Sequence, residues 1–380
     1  MRETFSLGRL AGIRVGVNWS VLVIFVLIAL GLAEGRLPEA HPDGSWWQYW
    51  LVGLAAAVVF FASLLAHEIA HAVVARRNGV HVDGIVLWML GGAARLRSEA
   101  PNPGAELRIA GVGPLVSLVL GVVFGLLAGV LGGLLGGGLA VEAVAWLAAI
   151  NVLLALFNVL PAAPLDGGRL LRAVVWWRTG SRLRATRAAT VAGRALGWAL
   201  VVLGLYLLVA GAGFSGVWLA IIGWFLVAAA TMEGSQAQLR ELLSGIPVRQ
   251  AMTADPVTVP ETETLAEFLE GPRYRYRHSA FPVVAEDGSP RGLITLRRAR
   301  DVPEERQATA TVADAMLPAA DVPTAGPEDP LAQLLPELQA GDVRRALVVA
   351  DDRLVGIISS SDLGRILSWL TSTTPWATRR

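Results

Sequence analysis

Residues 64–77 read LLAHEIAHAVVARR. The run before His67, residues 44–66, carries no charge, and about 20 such residues suffice to cross a bilayer. His67, Glu68 and His71 therefore stand at the end of an apolar helix, just before Arg76 and Arg77. Ionisable groups in a spanning helix are costly, so they face the bundle interior and serve a function. Positions four apart are neighbours on a helix, which puts His67 and His71 on one face. Two imidazoles so placed can hold one zinc ion, with Glu68 beside them as general base toward the zinc-bound water. Zinc lowers the pKa of that water to roughly 7. A chance HExxH on a solvated helix face is the bland alternative, and a proton relay or ion path is the sharper rival.

The rest of the chain sets the frame. Mean hydropathy is +0.54 and charged residues make up 17% of the 380 positions, too apolar for an ordinary soluble protein. The net charge of +1 with no basic tract leaves nucleic acid without a docking surface. There are no cysteines, which excludes disulfides, cysteine nucleophiles and cysteine-held zinc. Any metal must be held by His, Asp or Glu.

Charge-free runs also cover 15–33, 109–141, 143–165 and 195–232. The glycine-rich breaks LGGLLGGG at 131–138 and GAGFSG at 211–216 divide the longer ones. Six spans follow, at about 15–33, 48–75, 106–130, 139–160, 191–210 and 215–232. The first run is too long for a cleavable signal peptide and lacks a small-residue cleavage site before Glu34. Arginines concentrate before span one (Arg2, Arg9, Arg14), between spans two and three (Arg76, Arg77, Arg95, Arg97, Arg108) and between spans four and five (Arg169, Arg172, Arg178, Arg182, Arg184, Arg187). An excess of basic residues marks the cytoplasmic side, so both termini are expected there, in the plasma (inner) membrane.

A catalytic zinc needs a third protein ligand and one open position. FNVLPAAPLDGGR, residues 157–169, offers Asp166 between two prolines and two glycines at the inner end of span four. Pro161 and Pro164 break the helix, and Gly167 and Gly168 permit unusual backbone. A lone Asp-Gly is by default a turn, but depth argues for a ligand. Asp166 lies three residues before Arg169, and His71 five before Arg76, or about 7.5 Å of helix. His67, His71 and Asp166 with one open position form a plausible catalytic zinc site.

HEIAH on an early span, GPLVSL at 113–118 and NVLPAAPLDGG at 158–168 together resemble the site-2 protease family of intramembrane zinc metalloproteases. The opening LGRLAGIRVGVNWS is similar to the bacterial and archaeal branch with a C-terminal pair of cystathionine-β-synthase (CBS) domains, typified by the sporulation stage IV FB protease. The resemblance covers nearly the whole chain. It implies that His67, His71 and Asp166 bind one zinc ion per chain and that Glu68 is the catalytic base. Asn158 matches the family's asparagine, which steadies substrate or oxyanion; packing is its ordinary alternative. Gly113 and Pro114 match a packing motif. Ser117 stands where many relatives carry asparagine, so no contact is assigned to it, and Asn18 stands where histidine is common. The stretch 80–96, VHVDGIVLWMLGGAARL, alternates like a strand. In this family its equivalent forms a small sheet that pairs with unwound substrate, a form of strand addition. His41, His81 and His278 have no ligand spacing and read as ordinary histidines.

From about residue 240 charges and prolines return, and the tail repeats itself. VRQAMT at 248 is echoed by VADAML at 312, LAEFL at 265 by LAQLL at 331, and FPVVAEDGSPRGLIT at 281 by ALVVADDRLVGIIS at 346. Each unit reads as helix, strand, strand, helix, and two tandem copies imply two stacked halves sharing a core. The resemblance makes these a CBS pair that binds ATP or AMP. GIISSSDL at 356–363 matches the nucleotide pattern, with Asp362 for ribose hydroxyls and Ser359 for phosphate. The first repeat has GLITLRRAR, with Arg298 in place of that Asp.

The expected architecture is a polytopic α-helical membrane protein of about six transmembrane helices with a small membrane-associated β segment and a C-terminal α/β CBS pair. Its domains are 1–235 (transmembrane metalloprotease), 246–308 (first CBS repeat) and 309–372 (second). The expected substrate is a membrane-tethered sigma factor, anti-sigma factor or transcription regulator in the lipid bilayer, with no direct nucleic acid and a homodimer through the CBS pair. A CBS-regulated transporter or channel and an inactive scaffold of the same family are the rivals.

Overall fold

The charge-free runs fold as helices. The computed structural model describes residues 4–88, 91–96, 99–211, 213–271, 278–340 and 343–373. Arg2, Arg97 and residues 89–90 of the 80–96 stretch lie outside them. Two compact units divide the chain, 1–235 and 236–380.

Among the described residues, six helical stretches are long and apolar enough to cross a membrane. The first is Val21–Ala40, made of α1 (Val21–Leu30), a wider π-type turn (Gly31–Arg36) and α2 (Leu37–Ala40). The others are α3 (Trp46–Arg77), α4 (Pro103–Leu135), α5 (Leu139–Val159), α7 (Arg182–Val209) and α8 (Phe214–Ser244), with the amphipathic α6 (Asp166–Thr179) between α5 and α7. Their buried faces are built from small residues, Ala56, Ala57, Ala72 and Ala75 on α3 and Ala105, Ala110, Gly113 and Gly121 on α4. A Cβ at Gly121 would sit 2.7 Å from Val152 of α5. Small residues let helix backbones approach closely where lipid supplies no hydrophobic drive between helices. Large side chains such as Leu126, Leu134 and Val202 point outward.

The first span begins at Val21, not at 15. Residues 15–17, where the charge-free run begins, belong to a strand, because a short apolar run suits a buried strand as well as a helix. β1 (Phe5–Leu10), β2 (Ile13–Val17), β3 (Val82–Trp88) and β4 (Gly91–Leu96) form one sheet in that order. The 80–96 stretch supplies the antiparallel β3–β4 pair, and β2 runs parallel to β3 with Val15 opposite Ile85. The β1–β2 turn uses Ala11 and Gly12 at φ 50° and 74°. Arg76 at the end of α3 donates from Nη1 to Ala11 O at 3.0 Å, tying the sheet to the helix that carries the HEIAH motif.

The second unit holds two four-stranded sheets. One joins β6 (Val259–Pro260), β7 (Ala280–Val284), β8 (Pro290–Thr295) and β9 (Leu317–Pro318); the other joins β10 (Thr324–Ala325), β11 (Arg345–Ala350), β12 (Arg353–Ser359) and β5 (Thr253–Ala254). Each sheet takes an edge strand from the other repeat. Val248 and Ala251 accordingly pack with Leu331, Leu335, Val348 and Ile358, whereas Val312 and Ala315 pack with Val259, Phe268 and Ile294. A third cluster, Ala280, Leu293, Val322 and Leu347, joins residues of both repeats.

Candidate metal centre

The one-turn spacing on α3 turns both imidazoles toward α4. His71 Nδ1 donates to Ile109 O at 2.6 Å, and His67 Nδ1 lies 2.9 Å from Ser117 Oγ. Both rings are buried. Their Nε2 atoms are 3.1 Å apart, and Asp166 Oδ2 lies 3.0 Å from that of His71 and 3.3 Å from that of His67. Among the described residues this is the one group of three His or carboxylate side chains with converging ligand atoms. Gly113 of α4 faces the cluster; a Cβ there would lie 2.6 Å from His67 Nε2 and would collide with His71 Nε2.

A carbonyl oxygen only accepts, so the neutral His71 ring carries its proton on Nδ1 and leaves Nε2 a bare lone pair. That lone pair faces a carboxylate oxygen and a second imidazole nitrogen. Buried acceptors facing one another are unfavourable without a cation between them. Imidazoles anchored through Nδ1 to a carbonyl or hydroxyl are the usual outer support of a metal-ligating histidine pair. The donor set of two nitrogens and one carboxylate oxygen suits zinc.

Asp166 reaches the histidines because α5 ends abruptly and the chain doubles back. Leu160 leaves the helical region at ψ 128°, the Ala163–Pro164 peptide is cis, and α6 starts at Asp166 itself. Gly167 and Gly168 are helical, contrary to the expectation of unusual backbone. What they contribute is the missing side chain, since a Cβ on Gly168 would lie 2.5 Å from Ala163 N and one on Gly167 would run into the carbonyls of Val159 and Leu160. An aspartate carboxyl is ordinarily ionised at neutral pH, as a metal ligand must be.

Glu68 is half-buried on the next position of α3 and makes no hydrogen bond among the described residues. The β4 strand passes flush against it: a Cβ on Gly92 would overlap the Glu68 carboxylate. Asn158, in the last turn of α5, is half-buried with no hydrogen bond to its amide among the described residues. Two turns earlier, Asn151 is fully buried, donates to Leu147 O at 2.9 Å, and leaves Oδ1 without a partner among the described residues. Ser117, to which the sequence assigned no contact, touches His67 directly. Its only sequence signal is its register, four residues beyond Gly113 on one face of α4.

The chain is 46% identical to the protein named "Putative zinc metalloprotease Rip3" from Mycobacterium tuberculosis, covering 97% of this chain and 93% of that one. The chain belongs to peptidase family M50. The family's pattern matches residues 55–137 and 135–203, and the CBS domain pattern matches 248–305 and 312–368. A zinc metalloprotease of Methanocaldococcus jannaschii is 27% identical over 97% of this chain and 98% of its own length. The solved site-2 protease of that organism is 26% identical, covers 60% of this chain and 94% of its own, and has a TM-score of 0.42. As a member of this metalloprotease family the chain is a multi-pass membrane enzyme with a C-terminal CBS pair.

In that CBS pair the two positions that the sequence pattern offers a nucleotide differ. Asp362 is buried and committed: its Oδ2 accepts from Ser359 N at 2.9 Å and Ser359 Oγ at 2.6 Å, and its Oδ1 pairs with Arg365. These bonds cap the helix Ser360–Thr373. At the matching place in the first repeat, Thr295 Oγ1 accepts from Arg298 N at 3.2 Å and the Arg298 guanidinium donates to Ala315 O at 2.9 Å.

Proposed function

We propose that this M50 peptidase hydrolyses a peptide bond within or near the transmembrane segment of a membrane-tethered regulatory protein, with His67, His71 and Asp166 holding one zinc ion. The observation that carries the reading is the meeting of two Nε2 atoms and an ionised carboxylate oxygen within 3.3 Å, with both Nδ1 atoms anchored elsewhere. Zinc, when bound, supplies Lewis acidity that acidifies water and polarises a peptide carbonyl. Glu68, beside the cluster, takes the proton of the attacking water and returns it to the leaving amine as the C–N bond breaks. The Asn158 amide donates to the carbonyl oxygen as negative charge develops on it. The free edge of β4, with Gly92 against Glu68, offers backbone groups to a substrate that must be unwound to expose its peptide bond. The ion-path rival gives Asp166 no part, yet Asp166 is the third converging ligand atom.

The arginines at the ends of α3, α4 and α6 support an inner-membrane topology with both termini cytoplasmic. A membrane proteome comparison of cells expressing wild type or Glu68→Gln, with zinc quantified in both purified proteins, tests the enzyme. The variant is expected to keep zinc and to accumulate one or more uncut single-span proteins. Equal turnover of such proteins in both strains would refute the assignment of Glu68.

Adenine nucleotide binding belongs to the second CBS repeat, where Ser359 and Asp362 form a preset corner and a ribose would replace Arg365 on Asp362. Equilibrium binding of ATP and AMP to the full-length protein tests this, with loss in Asp362→Ala expected. Absence of binding at millimolar nucleotide would overturn it.

A further inference from the structure

A second charged cluster lies beside the metal centre. Glu106, in the first turn of α4, is 1% exposed. Its Oε1 accepts from Arg169 Nε at 3.0 Å and pairs with Arg172. Arg172 also reaches Glu233 of α8 at 3.8 Å. By their place between spans both arginines mark the cytoplasmic side, yet they are three-quarters or more buried. Burying such a network is costly against an apolar core of equal volume, so its placement requires an explanation.

That placement follows from two helix faces. On α4, Glu106, Ile109, Gly113 and Ser117 recur at spacings of three and four and so share a side. Ile109 O anchors His71, Gly113 admits both Nε2 atoms, and Ser117 meets His67. Glu106 is the remaining member of that face. On α6, Asp166 and Arg169 are neighbours one turn apart, and the Glu106, Asp166 and Glu233 carboxylates all act on the Arg169 guanidinium. Arginine forks readily onto a carboxylate. Left unclaimed, Arg169 has Asp166 as its nearest acidic neighbour along α6, and a guanidinium on that carboxylate would compete with a metal for the same oxygens. In the structure Arg169 bonds Glu106.

We infer that Glu106 is a positioning residue, which holds the Arg169 guanidinium off Asp166 and so keeps the Asp166 carboxylate for the metal ion. The inference rests on the zinc reading above.

The test is zinc affinity by chelator competition, with the visible spectrum of the cobalt(II)-loaded protein as a report on ligand geometry. Wild type and His71→Ala come first; zinc binding that His71→Ala leaves unchanged refutes the metal site and, with it, this role. Glu106→Gln is expected to bind zinc about 10- to 100-fold more weakly, the usual loss on removing an outer support, with an altered cobalt spectrum. The double variant Glu106→Gln/Arg169→Gln is expected to recover most of the affinity and the wild-type spectrum, because the competitor is gone. A purely structural role predicts a double variant no better than the single. Wild-type affinity in Glu106→Gln, or no recovery in the double variant, overturns the inference. Should Glu106→Gln fail to fold, Glu106→Asp decides: a shorter carboxylate that still pairs with Arg169 should preserve the cobalt spectrum, and a spectrum lacking the wild-type bands overturns the inference.

Discussion

Replacing Gly113 with alanine sets helix propensity against metal binding. Gly113 lies inside α4, where alanine is favoured over glycine by about 0.5–1 kcal/mol, so propensity alone predicts a more stable protein. The added methyl would point into the cluster, 2.6 Å from His67 Nε2 and closer still to His71 Nε2. Both atoms are candidate zinc ligands, and both rings are held from behind by Ser117 and Ile109. The clash is thus relieved only by moving the ligand atoms or parting α3 from α4. Overpacking of this kind costs about 1–3 kcal/mol, which appears as zinc binding about 5- to 150-fold weaker. Chelator competition on purified protein measures it, with the thermal midpoint of the metal-free form as a folding check. Gly129→Ala is the matched control: it lies in the same helix, and a Cβ there meets nothing within 4 Å. The control should raise the midpoint slightly and leave zinc affinity alone. Wild-type zinc affinity in Gly113→Ala would refute the packing argument.

Three further outcomes are expected. Asn158→Ala should keep zinc and lose about 10²–10³ in kcat, as oxyanion donors do; an unchanged kcat removes it from the mechanism. Ser117→Ala should weaken zinc about 10- to 100-fold in the same competition assay by releasing the His67 ring, and an unchanged affinity assigns Ser117 to packing. Glu267 and Asp314 accept from the backbone N–H and hydroxyl of Thr264 and Thr311, bonds that hold both carboxyls below their ordinary values of 4.5 and 3.8. Their contribution to stability is complete above those values and is lost as pH falls through the lower folded ones. Thr264→Ala and Thr311→Ala should therefore flatten the acid loss of CBS-unit stability as pH falls below these ordinary values, read by pH-dependent unfolding; an unchanged slope counts against the capping bonds.

Legibility differed from residue to residue. HEIAH was readable because a helix turns spacing four into adjacency. Asp166 was readable from its prolines and depth, although the role of the following glycines was not: their spacing shows neither φ nor close approach, and only the packed chain reveals that a Cβ there would strike the backbone of residues 159–163. β2 was absorbed into the first span because hydropathy cannot tell a short buried strand from the start of a helix. Arg169 and Arg172 read as topology marks, since a sequence counts charges but does not pair them.

By itself the sequence determined the number of spans, the tandem repeat and the candidate ligands. Each of these is a local property: hydropathy over a bilayer's thickness, self-similarity, or spacing along one helix. Tertiary structure decided the rest. It brought Ile109 and Ser117 behind the imidazoles, Glu106 onto Arg169, Gly92 onto Glu68, and β5 and β9 into the opposite sheets. All of these join positions far apart in the chain or depend on how closely two backbones approach, and no local pattern of residues encodes that distance.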